Sequence, residues 1–451
     1  MIAFLARHEW RVLSASGHVR LVLTAFVAAL AFAALQGASR LARERDTVQA
    51  FSDRLDVQRA RPASLRADAL GNDKGWLALL PPAPLGALAV GQSDVFPSYV
   101  KVTARTLDAL VTGDQIEHPL AVASGQFDVA FVVLFLYPLL IFAVSFDLTA
   151  SERDRGTLRL VLAQPVQLRD VVAGKMIARA LLAGLPVLII PFIAAIASGA
   201  SVFVLSLWII GVGAYGAIWH GVALLVNARG RPAAANALTL AGLWLLFTIV
   251  GPSTINLFVA VRYPMPSRVE AAVQARAATQ EATVQGSRDL GQFLQDHPTS
   301  ANVGREGMRQ FARLQAARDA QVAEKLQRVD AAFDAQLRRQ RQLASWLSVL
   351  SPTMIAQDVL LEVAGTSASR YERFDAEASA FQARWRDYFE PRILDAATLT
   401  ASEYAAAPRF QFVGEDPMAA MRRTLPWIAA MTAAAVMLIW LGFRRYREYA
   451  L

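Results

Sequence analysis

The chain has 451 residues, of which 55% are hydrophobic, and its mean hydropathy of +0.34 favours a membrane protein with soluble insertions over a string of soluble domains. It has no cysteine, which excludes a disulfide framework and a cysteine-based metal site. The net charge of +8 is not gathered into one basic, aromatic-rich patch, so the composition argues against a nucleic-acid partner.

The N-terminal segment predicts a helix on the membrane surface followed by a first span. Residues 1–20 place charged side chains among apolar ones, as in an interfacial helix. Residues 21–38 carry no charge, and 18 residues lie near the lower limit for crossing a bilayer. A signal peptide cleaved near Gly37 is the alternative. The length of the charged region favours an uncleaved first span.

Five further apolar segments predict five more spans. They are residues 127–147, 176–197, 202–226, 235–261 and 425–443. The fifth span is predicted to bend or break at Gly251–Pro252, which spanning helices tolerate when neighbours satisfy the freed carbonyls. The predicted fold class is an all-α membrane protein with six transmembrane helices and two extracytoplasmic insertion domains.

The two insertions differ in pattern. The first, residues 39–126, begins with an amphipathic helix to about Arg59 and then predicts short strands and loops from Val95 to Leu120. The second, residues 262–424, is mainly helical. Its Ala-, Gln- and Arg-rich stretch Val303–Trp346 predicts one long helix or a helical hairpin.

The loop between the second and third spans, residues 148–175, predicts an amphipathic helix. Thr149 and Glu152 form a capping-box pattern, with Ser151 and Asp154 as a second register for the same start. Pro165 ends the helix at Gln164, because the residue before a proline avoids the α region. A second short helix is predicted before Gly174–Lys175 leads into the third span. From the pattern alone, such a helix suits the lipid headgroups equally well.

Charge predicts the orientation. With the N-terminus in the cytoplasm, the inner segments are residues 1–20, 149–175, 227–232 and 444–451. They contain thirteen Lys and Arg against five Asp and Glu, so they carry the whole excess of the chain. This is the positive-inside pattern. Both termini, the 227–234 loop and the 444–451 tail are therefore predicted to be cytoplasmic, and both insertions face the outside.

A resemblance to a known family rests on the loop. Its residues Glu152, Gly156-Thr157-Leu158, Leu160, Leu162, Gln164-Pro165-Val166 and Gly174-Lys175 are similar to the loop after the second span of ABC-2 type transporter permeases. In that family this loop holds a coupling helix that docks on a cytoplasmic ATPase. The resemblance implies that coupling residues are Glu152, Arg155, Gly156, Thr157, Leu158, Val161, Leu162 and Pro165. Of these, Leu158, Val161 and Leu162 share one helical face.

A second, less specific resemblance lies in the second insertion. Residues 351–353, 363–366, 370–374 and 385–389 resemble the extracytoplasmic insert of a bacterial subfamily of ABC-2 permeases with large inserts, which has no assigned function. This resemblance implies no chemistry.

The family resemblance implies the membrane subunit of an ABC exporter in a bacterial inner membrane. The expected partners are a cytoplasmic ABC ATPase, a second permease (identical or paralogous) and the lipid bilayer. The alternative is an ATP-driven machine that transports nothing and moves its periplasmic domains to act on a periplasmic partner.

The substrate route is expected along the second and fifth spans, which enclose it in the family. The polar side chains there are Tyr137, Thr248, Ser253, Thr254 and Asn256. Polar groups are disfavoured against lipid and tend to face a bundle interior or a cavity. The alternative is that they only shape a kink and a helix contact.

The sequence lacks the motifs of several kinds of catalytic and binding site. A phosphate loop ending at Lys175 needs glycine at position 169, where Arg169 stands. The five histidines have no metal-ligand spacing, and His220 is expected to make a helix-packing hydrogen bond or to serve a substrate or proton. The chain is therefore expected to be no enzyme and to have no catalytic, metal or cofactor site, with ATP and magnesium held by the partner ATPase.

Overall fold

The structure is a computed structural model, and it is mostly helical. It describes residues 1–60, 65–91, 93, 98–105, 107–108, 127–264 and 335–447, with single positions 277, 280, 284 and 331. Six helices in these residues are long and apolar enough to cross a membrane: Gly17–Ala60, Val129–Asp154, Leu168–Ala197, Val202–Asn227, Ala233–Arg262 and Pro417–Tyr446. The prediction of six spans is confirmed, and the chain is a multi-pass membrane protein. These helices are called the first to the sixth span.

The first span is much longer than predicted. Its helix has 44 residues and continues without a break through the predicted amphipathic segment. At 1.5 Å per residue it is about 66 Å long, twice the hydrocarbon thickness of a bilayer. A separate N-terminal helix, Ile2–Ala15, precedes it and packs on the third span, where a Cβ on Gly174 would lie 2.7 Å from Leu5 Cβ.

The second and fifth spans each contain a π-helical turn that ends two positions before a proline. The second span runs as Val129–Phe131, a π turn at Val132–Leu136 and Tyr137–Ser145. The fifth runs as Ala233–Leu245, a π turn at Leu246–Val250 and Gly251–Arg262. Proline lacks an N–H and crowds the carbonyl four residues earlier, so the hydrogen-bond ladder shifts locally. At Gly251–Pro252 the helix therefore continues through a π turn instead of breaking.

The first insertion contains a small antiparallel sheet. Its strands are β1 (Trp76–Leu79), β2 (Tyr99–Val102) and β3 (Leu107–Asp108), in the order β1-β2-β3. Trp76 pairs with Val102, and Lys101 pairs with Asp108. The predicted strands after Val95 thus include β2 and β3, and positions 109–126 lie outside the described residues.

The two insertions share one hydrophobic core. Helix Ala368–Leu394 of the second insertion buries Phe381, Trp385 and Phe389 against the first insertion. Trp385 donates from its indole to the Gly71 carbonyl at 3.1 Å, and a β-bridge joins Arg66 to Thr398. The short helix Ala401–Ala406 completes this part. The described parts of the predicted two domains therefore form one unit, called the insert domain.

Part of the second insertion returns into the bundle. Residues 335–348 are helical, and their Gln340 donates to the Tyr263 carbonyl at the end of the fifth span. Helix Pro352–Ala364 then runs back, with Val359 against Gly211 of the fourth span. Between them, Ser351 donates to the Phe247 carbonyl. We call residues 335–364 the re-entrant hairpin, since its turn lies level with the middle of the fifth span. The predicted Val303–Trp346 helix lies mostly outside the described residues.

Candidate functional site

The apolar helix of the second span ends at Ser145, and the loop that leads from there to the third span holds two short helices, Ala150–Asp154 and Thr157–Leu162. One helix to Gln164 was expected. The reason for the division is Gly156, whose φ of +73° is left-handed and ends the first helix. Thr149 occupies the predicted N-cap position, but its hydroxyl lies 3.4 Å from the Tyr446 hydroxyl and makes no capping bond. The predicted second short helix is the start of the third span, which already begins at Leu168.

A buried arginine fixes the start of this loop. The Arg179 side chain, only 5% exposed, donates to Glu9 of the N-terminal helix at 2.7 and 2.9 Å and to Asp147 at 2.9 Å. A buried guanidinium is stable only when its charge is paired and its N–H groups are bonded. Arg179 thus joins the third span, the N-terminal helix and the end of the second span.

A second set of bonds fixes the middle of the loop. Lys175 pairs with Glu152 at 2.8 Å and also donates to the Leu148 carbonyl at 3.1 Å. Arg153 donates to the Gly230 carbonyl in the loop between the fourth and fifth spans. In each contact a charged side chain binds a group on another element. The loop is therefore attached to the bundle at several points.

The predicted coupling residues fall into three groups. Glu152 is half-buried, and Leu158 is buried inside the chain with 2% exposure. Arg155, Gly156, Thr157 and Pro165 are exposed. For Val161 and Leu162 the structure describes the backbone only. Leu160 is 70% exposed and is the apolar side chain that the described part of this helix offers to a partner.

The middle of the bundle holds a chain of hydroxyl groups. Tyr215 of the fourth span donates to the Leu134 carbonyl at 2.7 Å. Since a hydroxyl has one hydrogen, Tyr215 must accept from Thr353 at 3.1 Å, and Thr353 must accept from Thr248 at 3.1 Å. The chain therefore runs from the fifth span through the re-entrant hairpin and the fourth span to the second span.

These bonds satisfy carbonyls released near the two prolines. Leu134 lies four residues before Pro138 and accepts from Tyr215. Phe135 in the same π turn accepts from the Trp244 indole at 3.1 Å, and Phe247 in the other π turn accepts from Ser351. Backbone carbonyls at membrane depth need such partners because no water replaces them.

The predicted route residues divide into a buried and an exposed set. Thr248 is buried in the hydroxyl chain, and Tyr137 is buried against Gly216, where a Cβ would lie 2.6 Å from its ring. Ser253, Thr254 and Asn256 are exposed on the fifth span of the single chain. Thr254 uses its hydroxyl on the Val250 carbonyl at 2.7 Å.

His220 is buried in the fourth span, and neither ring nitrogen has a hydrogen-bond partner within the described residues. The expected packing hydrogen bond is therefore not made there. Over the same part of the chain, no group of three His, Asp or Glu side chains is placed to hold a metal ion.

Sequence reasoning missed the residues that fix these two sites. Arg179 lies inside the predicted third span, and a charge at such a position is itself a signal of a buried partner. Its partners Glu9 and Asp147 are far apart in sequence. Tyr215 and Thr353 gave no signal, because ordinary hydroxyl residues separated by 138 positions reveal their pairing only in three dimensions.

Part of the chain matches a known protein family. Residues 268–413, about a third of the sequence, match a domain of unknown function, DUF3526. The match covers much of the second insertion, including the helices that pack in the insert domain. No curated protein matches the chain.

The Arg179 cluster gives a direct test of stability. Arg179→Gln leaves Glu9 and Asp147 without their cation, and breaking a buried pair costs about 3–5 kcal/mol. We expect a clear fall in the thermal unfolding midpoint of the purified chain in detergent. The matched control is Arg169→Gln, because Arg169 is half exposed and lies 3.9 Å from Asp170. Such a surface pair is worth about 0–1 kcal/mol, so equal losses in both variants would contradict the assignment.

Proposed function

We propose that this chain is the membrane subunit of an ABC transporter of the ABC-2 type, acting as an exporter in a bacterial inner membrane. The observation that carries the proposal is the loop between the second and third spans. It offers an exposed Leu160, while Arg179, Lys175 and Arg153 bind it to three other elements. A partner that moved this loop would move those elements with it.

In this proposal the work comes from another chain. A cytoplasmic ABC ATPase binds ATP and magnesium and pushes on the Thr157–Leu162 helix. Ion pairs that are buried are costly to separate, so a push on the loop displaces the attached helices before it breaks the bonds. The Lys175–Glu152 pair passes the displacement to the third span, and the Arg179 cluster passes it to the N-terminal helix.

The ATPase contact is tested by placing charge on the Thr157–Leu162 helix. Leu160→Glu with Leu162→Glu should abolish copurification with a candidate ABC ATPase or its coupled activity, because an unpaired buried charge costs several kcal/mol. Insertion into the membrane should be unchanged. Gln164→Glu adds one charge at an exposed position of the same loop and is the control. If the double variant still copurifies and works like the parent, the helix only lies on lipid.

The proposed orientation places the loop inside and the insert domain outside. It rests on the excess of positive charge in the segments at the end of the bundle that carries this loop. Since the chain has no cysteine, each introduced cysteine reports alone. A membrane-impermeant thiol reagent is added to intact spheroplasts. The cysteine introduced by Arg386→Cys, at an exposed position of the insert domain, should react with it. The cysteine introduced by Arg155→Cys, at an exposed position of the loop, should not. Reversed labelling would place the insert domain in the cytoplasm and remove the proposal.

The proposed substrate route follows the exposed face of the fifth span, against a second permease, identical or paralogous. The span's most apolar window is only 17% buried in the single chain, and the polar side chains Ser253 and Asn256 are exposed on the same span. Polar groups at membrane depth favour a protein partner or a water-filled cavity over lipid. The buried Thr248 would then act indirectly, through its bond to Thr353.

The route is tested at the exposed positions. Thr254→Leu and Asn256→Leu should each lower ATP-dependent transport by the reconstituted complex, while assembly and basal ATP hydrolysis persist. Val261→Leu, at an exposed apolar position of the same span, should leave transport unchanged. Parent-like transport in both polar variants, or a simple loss of assembly, would place the route elsewhere.

A second function is favoured by one observation. The helix of the first span runs from the bundle into the insert domain, where Arg59 donates to the carbonyls of Ala405 and Ala407. A continuous helix of this kind suits an ATP-driven machine that moves its outer domain to act on a periplasmic partner. ATP hydrolysis in liposomes with distance changes between insert-domain labels, but without movement of any candidate solute, would favour this alternative.

A further inference from the structure

A crevice lies where the insert domain meets the ends of two spans. One wall is apolar and consists of Phe203, Val204 and Leu207 at the start of the fourth span, with Val363 of the re-entrant hairpin. Pro417 and Ala420 at the start of the sixth span continue this wall. The opposite rim is polar and belongs to the chain around helix Ala368–Leu394, with Arg370, Arg373, Glu362 and Glu415.

The position of the apolar wall places the crevice at the edge of the bilayer. Phe203, Val204 and Leu207 occupy the first two turns of a span, where hydrocarbon meets headgroups. Val202, Phe203 and Met418 around the mouth are 62%, 41% and 46% exposed. The crevice therefore opens among apolar side chains that face lipid at this depth.

The arginines at the polar rim outnumber the carboxylates that they pair with by one. Arg373 pairs with Glu415 at 2.8 Å, and Arg423 bridges Glu362 and Glu415. These two carboxylates are also the only acids among the residues lining the crevice. Their charge is taken up by Arg373 and Arg423, and this network lowers the pKa of the Glu415 carboxyl.

Arg370 is the remaining cation. Its guanidinium donates to the Pro81 carbonyl at 2.7 Å and lies 5.5 Å from the centre of the Phe412 ring. Within the described residues it makes no ion pair, and Glu44 attracts it only from farther away. Burial lowers the pKa of Arg370, because desolvation disfavours the charged form of the guanidinium. An anion at this point would offset that effect.

We propose that this crevice binds an anionic phospholipid of the adjoining leaflet, with an acyl chain on Phe203, Val204 and Leu207 and the phosphate on Arg370. The apolar wall selects an amphiphile over a free anion, and the uncompensated guanidinium selects a negative headgroup over a zwitterionic one. This inference is independent of any transported solute, because it needs only that these span ends lie at a bilayer surface.

Photocrosslinking in vesicles tests the site. The full-length chain is reconstituted in phosphatidylcholine vesicles that contain a minor share of diazirine-bearing phosphatidylglycerol, and adducts are mapped by peptide mass spectrometry. We expect adducts to concentrate on peptides that include 203–207 and 417–420, and unlabelled phosphatidylglycerol to compete them away. Arg370→Gln should reduce these adducts about tenfold, the size expected for one charged hydrogen bond. Arg386→Gln, on an exposed side of the same helix, should not.

A second variant keeps the test decisive if Arg370→Gln fails to fold. Val204→Trp fills the apolar wall and should remove the adducts on 417–420, whereas Leu238→Trp, at an exposed apolar position of the fifth span away from the crevice, should not. The proposal is overturned if diazirine-bearing phosphatidylcholine labels the same peptides equally well. It is also overturned if adducts spread evenly over the lipid-facing positions or if folded Arg370→Gln retains full labelling.

Discussion

The architecture depends on one guanidinium that is buried at the end of the bundle that carries the loop between the second and third spans. Arg179 holds Glu9 and Asp147 at hydrogen-bonding distance, and these residues belong to elements that are distant in sequence. Burying such a cation is unfavourable unless both its charge and its donors are satisfied, so the cluster is stable only when all three elements are in place. The loop that follows Asp147 takes its position from this cluster, and Lys175 with Glu152 then fixes the next turn.

A second constraint acts at the middle of the bundle, where backbone carbonyls have no water. Pro138 and Pro252 disturb the ladders of the second and fifth spans, and the π turns before them leave carbonyls that need other donors. Tyr215, Trp244 and Ser351 supply those donors. Because Ser351 belongs to the second insertion, the re-entrant hairpin is part of the solution and is held at this depth by the hydrogen bonds that it completes.

The sequence predicted the features that follow from local composition. Six apolar runs gave six spans, and the loop gave a helix start at Thr149. It could not predict that Gly156 adopts a left-handed conformation, since the capping pattern and the apolar spacing both favoured one helix. It also could not show that Trp385 packs against β1 or that residues 335–364 return into the bundle. The last two features depend on contacts between distant segments, such as Ser351 to Phe247 across 104 residues and Trp385 to Gly71 across 314 residues.

Two continuous paths connect the bundle with the insert domain, and they differ in kind. The first path is the helix of the first span, which is continuous over 44 residues. A tilt at its N-terminal end therefore moves Arg59 and the carbonyls that bind it. The other path consists of bonds: Thr248 to Thr353, then along the hairpin to Glu362, Arg423 and Glu415. A displacement of the fifth span must either break the hydroxyl chain or carry the hairpin with it. Since Glu362 and Glu415 both line the crevice beside Arg370, any movement carried by the hairpin changes the shape and the charge of that site.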